Sequence, residues 1–333
     1  MYESFYKLND TPFKLIPNLK YYYFGKSQQR ALTYLKYGIT QGEGFIVITG
    51  EVGTGKTTLI QCLLNDLKNS DIAIAEVAAA NLDAKKILPM ICAAFGISYE
   101  KKSDVTLLKE LKKLLLKYIE RNTPISLIID EAQTLTDSAL EELRILSNLQ
   151  VNNKALIQII LVGQNELRQT LASNKYEHIR QRIIASYEME ALSEQETRAY
   201  IEYRLEKAGW DGDPEFEEEI FLDIYDWSNG IPRKINTLCN RILLYGFVEN
   251  IHKINVSDVK SVVNELNCET SNSIKGDPDL LQANKDYDES QLGFYSQIEW
   301  RIKILERKID RHDQVLNTYL NDNKIEELSH TKN

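Results

Sequence analysis

The chain has 333 residues, 43% of them hydrophobic and 27% charged, with a formal net charge of −9. That is length for about two domains and an ordinary globular core, and the negative balance argues against a protein that coats nucleic acid through its overall charge, although a local basic stripe could still bind DNA. Four scattered cysteines (Cys62, Cys92, Cys239, Cys268) form no CxxC pair and the four histidines are equally dispersed, which speaks against a disulfide framework or a zinc site.

The N-terminal stretch MYESFYKLNDTPF lacks the apolar region of a signal peptide. No apolar run reaches the roughly 18 residues of a membrane span. A cytoplasmic protein is expected, with any membrane association made through a partner. Residues 1–40 are rich in aromatics: Tyr2, Phe5, Tyr6, Phe13 and the run YYYF at 21–24. Pro12 and Pro17 break any long helix there, and Ala31, Leu32, Leu35 and Ile39 then resume a helical spacing. Such a segment is expected to pack on the following domain; a stacking surface for nucleic acid is the alternative.

Residues 41–192 alternate short apolar runs with helical patterns. Strands are predicted at 45–49 (FIVIT), 72–77, 125–130 (ISLIID), 156–163 and 184–189, with helices at 56–67, 83–95, 104–121 and 137–150. Apolar strands separated by helices indicate an α/β fold, a parallel sheet covered on both faces. After Leu192 the pattern is helical, at about 194–208, 215–227, 232–249 and 257–266, which predicts a small helical lid domain over 193–266. Ser193 with Glu196 three residues on is a capping box that starts the first of these helices. Residues 267–290 are polar and turn-rich and read as a linker. In the tail, 291–325, Ile298, Ile302, Leu305, Ile309, His312, Leu316 and Tyr319 alternate spacings of four and three. This is a heptad seam, open to two readings: a coiled-coil oligomerisation or docking helix, or a helix that packs back on the body.

The stretch Gly50-Glu51-Val52-Gly53-Thr54-Gly55-Lys56-Thr57 matches G-x-x-x-x-G-K-[ST] between a strand and a helix. Glycines let the loop curl so that backbone N–H groups point at phosphate oxygens, and the helix behind it directs its positive end at the same anion. Lys56 can reach the β- and γ-phosphates, and the Thr57 hydroxyl can hold Mg²⁺. Thr58 completes the candidate nucleotide-binding stretch and stands where a dinucleotide fingerprint would need its third glycine, which excludes that fingerprint. Downstream, LIIDEAQ (127–133) is a buried strand ending in two acids, a costly arrangement unless they have work. Asp130 can hold Mg²⁺, and Glu131 can polarise a water that attacks the γ-phosphate. That pair favours hydrolysis over transfer of the phosphate to a substrate.

Gln164, in LVGQNEL, follows a strand tip beside the strand of Asp130, where it can touch the γ-phosphate or orient the water; an amide that caps the next helix is the plain alternative. Arg180 and Arg182, in HIRQRI, precede the last strand at the edge of the sheet, where an arginine can be offered to a neighbouring subunit's γ-phosphate. Arg182 is preferred because it directly precedes the strand. Pro232 suits the first turn of a helix and places Arg233 at the start of a lid helix, within reach of the nucleotide.

These pieces, in this order, resemble the AAA+ ATPases. The stretches MYESFYKLNDTPFKLIPN, GITQGEGFIVITGEVGTGKTTL, DEAQTL and GIPRKIN make the chain similar, over roughly residues 1–266, to the ExeA/GspA-type secretion ATPases and to those accompanying exosortase, polysaccharide-export and MSHA pilus loci. The resemblance implies a P-loop AAA+ fold and an oligomeric, ATP- and Mg²⁺-dependent ATPase that serves assembly or regulation of a cell-envelope machine. It also implies roles: Lys56 and Thr57 as Walker A, Asp130 and Glu131 as Walker B, Gln164 as sensor 1, Arg182 as arginine finger and Arg233 as sensor 2. The chain departs from the pattern at Pro17-Asn18-Leu19, where relatives read Pro-Asp-Pro. It also shows neither the membrane span nor the peptidoglycan-binding part that follows the ATPase in ExeA-like proteins, which points to short cytoplasmic relatives. Two other functions stay open: a TnsC-type, DNA-binding regulator of transposition and a nucleotide-gated scaffold with negligible turnover.

Overall fold

A computed structural model describes residues 1–68, 70–79, 82–152 and 154–274 of the chain. It divides into two units, Met1–Val263 and Asn264–Asn333. The sheet, the helices on it and the phosphate loop all belong to the first.

Five strands build the central sheet: β1 (Phe45–Gly50), β2 (Ala73–Ala78), β3 (Ile125–Asp130), β4 (Gln158–Val162) and β5 (Ile183–Met189). They pair in parallel in the order β2-β3-β4-β1-β5. Every residue of β1, β3 and β4 is buried, as expected of parallel strands covered on both sides. Alternation sorts the side chains by face. Ile46, Ile48, Ile128 and Ile160 point to one side, where α1 (Lys26–Gln41) and α2 (Lys56–Leu67) supply Ala31, Leu35, Leu59 and Leu63. Val47, Leu127, Ile129 and Leu161 point to the other. There they meet α3 (Ala84–Ala94), α4 (Asp104–Glu120), α5 (Asp137–Ser147) and α6 (Asn165–Ala172). In α4 the buried residues Leu107, Leu111 and Leu115 recur every four positions, the stripe that a helix of 3.6 residues per turn lays against a sheet.

The helical part comprises α7 (Glu194–Lys207), α8 (Ile220–Ser228), α9 (Pro232–Val248) and α10 (Val256–Ile274). The Ser193–Glu196 capping box is present in full. Three predicted boundaries move. The helix expected over 137–150 ends at Ser147, because Gln150–Val151 pairs with Lys154–Ala155. The helix expected from 215 starts at Ile220, because Glu215–Phe216 pairs with Lys253–Ile254. The last helix runs through 266 to Ile274, into the stretch read as a linker; residues 267–274 contain neither glycine nor proline to stop it, and Gly276 comes only afterwards. The remainder of that stretch and the heptad seam of 291–325 lie outside the described residues.

The N-terminal aromatics are largely buried, with Tyr6 and Tyr21 almost fully so. Tyr2, Tyr6 and Pro12 are held by the helical part. Tyr2 Oη donates to Asn240 Oδ1 at 2.7 Å and Tyr6 Oη to the Ile251 carbonyl at 2.9 Å. The Arg204 guanidinium donates to the Pro12 carbonyl at 2.7 Å. Tyr22 and then α1 pack on the sheet side. At the junction, Glu196 Oε1 accepts from the Lys26 N–H at 2.8 Å, so the start of α7 also fixes the start of α1.

Candidate active site

β1 delivers the chain to Gly50, and α2 begins at Lys56. Between them the loop must turn back on itself, which Gly53 and Gly55 allow by adopting φ of 89° and 95°, a region unfavourable to residues with a Cβ. Lys56 is 7% exposed. Its ammonium donates to the Gly50 and Glu51 carbonyls at 2.8 and 3.0 Å. Burial lowers its pKa below the ordinary lysine range, against the pull of Glu131 and Asp130.

The second strand end reaches this loop from 73 residues away. Thr57 Oγ1 donates to Asp130 Oδ2 at 2.8 Å, while Asp130 Oδ1 accepts from the Glu131 N–H at 2.8 Å. The two residues assigned to a cation are therefore side by side at the mouth of α2. Both offer hard oxygen ligands, which fits Mg²⁺. Among the described residues no group of three or more His, Cys, Asp or Glu side chains could hold a metal. A divalent cation at Thr57 and Asp130 thus needs further oxygens from outside the protein, as Mg²⁺ takes them from phosphates and water.

Glu131 occupies left-handed backbone space at φ 55° and carries an exposed carboxylate. Two amides converge on its Oε2: Gln133 Nε2 at 2.6 Å and Gln164 Nε2 at 3.4 Å. Gln133 Oε1 in turn accepts from the Gln164 N–H at 3.0 Å. Gln164 sits at the N-terminus of α6 without capping it through its side chain; the amide turns to Glu131 instead. Gln133 was not singled out from the sequence. The only signal available was its place two residues beyond Glu131, on the one-turn helix Ala132–Thr134. A Cβ at position 163 would come within 2.8 Å of Gln133 Oε1, so Gly163 clears the space for this bridge.

Arg233 reaches the loop through its backbone: its N–H donates to the Gly53 carbonyl at 3.2 Å. One cavity brings together the loop from Val52 to Thr58, Glu131, Gln164 and Arg233. Arg180 and Arg182 are not among its lining residues. Arg180 Nη1 donates to the carbonyls of Leu171, Ala172 and Ser173 at the end of α6. Arg182 Nη1 donates to the Ser147 carbonyl at 3.3 Å. β5 runs parallel to β1 with Ile183 opposite Phe45, which puts both arginines at the opposite end of the sheet from the loop.

The arrangement can hold a polyphosphate on the loop amides and Lys56, a cation on Thr57 and Asp130, and a water beside Glu131. Residues 39–171 match the AAA domain family. The chain is 38% identical over 267 residues to general secretion pathway protein A of Aeromonas hydrophila, an alignment that covers 80% of this chain and 48% of that relative. The chain thus spans about half the length of the curated relative it matches. The fold is shared with the Cdc6p protein of Pyrobaculum aerophilum (TM-score 0.58, 17% identity, 78% of this chain and 71% of that one). It is shared also with the ORC2 protein of Aeropyrum pernix in its ADPNP-ADP complexes (TM-score 0.53, 18% identity, 77% and 72%).

Proposed function

On the premise that this chain carries an AAA domain of P-loop NTPase fold and is an ExeA/GspA-like relative, we propose that it hydrolyses ATP to ADP and phosphate with Mg²⁺, as an oligomer that drives or regulates assembly of a cell-envelope secretion, pilus or polysaccharide-export machine. The observation that carries the reading is the Thr57–Asp130 hydrogen bond, with Glu131 next in the chain and the buried Lys56 beside it. Loop N–H groups and Lys56 hold the phosphates, and Thr57 and Asp130 hold the cation. Bound there, Mg²⁺ neutralises charge on the phosphate oxygens. Glu131 takes the proton of the attacking water, and Gln164 orients it.

Arg233 senses the nucleotide from the lid, and Arg182 serves the site of a neighbouring copy. The similarity to a general secretion pathway protein supports an envelope protein as partner. No described helix is long and apolar enough to cross a membrane, and the proposal places the protein in the cytoplasm, reaching the inner membrane through that partner.

Phosphate release and nucleotide affinity test the reading together. Lys56→Ala weakens nucleotide binding. Glu131→Gln keeps binding and cuts turnover by about 10²–10⁴-fold, the usual contribution of a positioned base; turnover at the wild-type rate in that variant removes Glu131 from its role. Repeating the assay with duplex DNA across salt concentrations separates the machines, since strong, salt-sensitive stimulation points to a TnsC-type regulator of transposition.

A further inference from the structure

Eight buried side-chain oxygens among the described residues have no hydrogen-bond partner, and two of them, Gln28 Oε1 and the Tyr22 hydroxyl, belong to residues that border the nucleotide cavity. A buried carbonyl oxygen without a donor is unfavourable and persists where a ligand supplies the missing group. Gln28 is 2% exposed and cannot swing out to water without disturbing its surroundings. It lies in the first turn of α1, where the two residues just before it are both pinned. The Lys26 N–H donates to Glu196 Oε1 at 2.8 Å, and Ser27 Oγ accepts from the Glu190 N–H at 2.9 Å. A Cβ at position 25 would come within 2.7 Å of Gln28 Oε1, so Gly25 makes room for this amide.

Tyr22, another residue of this cavity, lies against the phosphate loop. A Cβ at position 55 would lie 3.5 Å from its ring. A nucleotide whose phosphates rest on residues 53–57 has its base to place elsewhere in the cavity. Leu15, Ile16 and Tyr22 are among the lining residues of the cavity, and such apolar and aromatic side chains suit the faces of a flat ring. Gln28 lines the same cavity, where its carboxamide can be met by the ring's polar edge. Adenine presents an amine donor beside a ring-nitrogen acceptor, the pattern a glutamine amide matches. Guanine and hypoxanthine present a carbonyl oxygen at the same place, which opposes another oxygen.

We propose that Gln28 reads the base of the bound nucleotide, taking a hydrogen bond from the adenine 6-amine and selecting adenine over 6-oxo purines. This rests on the nucleotide-binding reading above. The test measures dissociation constants of the full chain for ATP, ITP and GTP by displacement of a fluorescent ATP analogue. ITP differs from ATP chiefly in carrying an oxygen in place of the amine. The wild-type chain is expected to prefer ATP over ITP by about tenfold or more, the range for a paired polar group against its mismatch. Gln28→Leu lowers ATP affinity, leaves ITP nearly unchanged and brings the ratio close to one. Gln28→Glu, which keeps an acceptor oxygen, retains the preference. Equal wild-type affinity for ATP and ITP, or an unchanged ratio in a folded Gln28→Leu chain, overturns the proposal. Lys56→Ala is the separating control: it weakens ATP and ITP alike. Failure of that control refutes the nucleotide site itself, while its success with an unchanged ratio in Gln28→Leu refutes only the role of Gln28.

Discussion

The backbone N–H of Arg233 donates to the Gly53 carbonyl at 3.2 Å, so the first turn of a lid helix rests directly on the phosphate loop. The contact has no slack, because a Cβ at position 53 would stand 2.7 Å from the Arg233 Cβ. Any shift of the loop as phosphates enter or leave must therefore move α9 or break this bond. Gly53→Ala tests the relationship. Left-handed backbone costs a residue with a Cβ about 1–2 kcal/mol, and the clash adds to it. The expected outcome is a lower melting temperature together with weaker nucleotide binding. Unchanged values of both would uncouple loop from lid.

Gln133 ties the Glu131 carboxylate to the backbone of Gln164. Gln133→Leu removes both bonds while keeping similar bulk. Because it positions the acting groups without contacting the phosphates, turnover is expected to fall by about tenfold, roughly 1.4 kcal/mol of barrier. Nucleotide affinity stays close to wild type. Loss of affinity equal to the loss of turnover would mean that Gln133 shapes binding instead.

Arg182 lies opposite the beginning of β1 while the loop follows its end. At about 3.3 Å per residue that separation is roughly 17 Å, so an arginine finger at this position acts on a neighbouring copy. Mixing Lys56→Ala chains with Arg182→Ala chains should restore phosphate release that neither has alone. Full activity from a monomer at high dilution would contradict a shared site.

Glu196 accepts from the N–H groups of Lys26 and Ser193. Burial raises its pKa, but these bonds more than offset it, leaving the carboxyl below its ordinary 4.5. A depressed acid stabilises the fold above its unfolded pKa and loses that contribution as pH falls through the folded value. At neutral pH, Glu196→Ala should cost about 1–2 kcal/mol, the scale of a lost helix cap. The gap between variant and wild type should close as pH drops from about 5 toward 3, followed by denaturant unfolding. A gap independent of pH would exclude the carboxylate as its source.

Much of the site could be read directly from the chain. The loop of residues 50–57 and the acids at 130 and 131 are local patterns whose chemistry follows from residue type and order, and α2 and β3 fall at their predicted bounds. Gln133 and Gln28 could not be read this way. Gln133 matters because β4 brings Gln164 to it, and Gln28 because the fold sets it on the wall of the cavity that contains the phosphate loop. Nothing within a few residues of either records those neighbours. The aromatic segment posed the same problem: its apolar character announced burial but not whether sheet or lid would bury it.

What the sequence determined by itself was the inventory of elements and reactive groups, since helix period, strand alternation and turn residues act over a few positions. Only the tertiary structure decided that Thr57 meets Asp130 across 73 residues, that Gln164 faces Glu131, and that Arg182 points away from both. Those relationships depend on the strand order β2-β3-β4-β1-β5. Parallel strands buried on both faces present similar apolar edges to one another, so their order is settled by how the whole set of crossovers and covering helices packs.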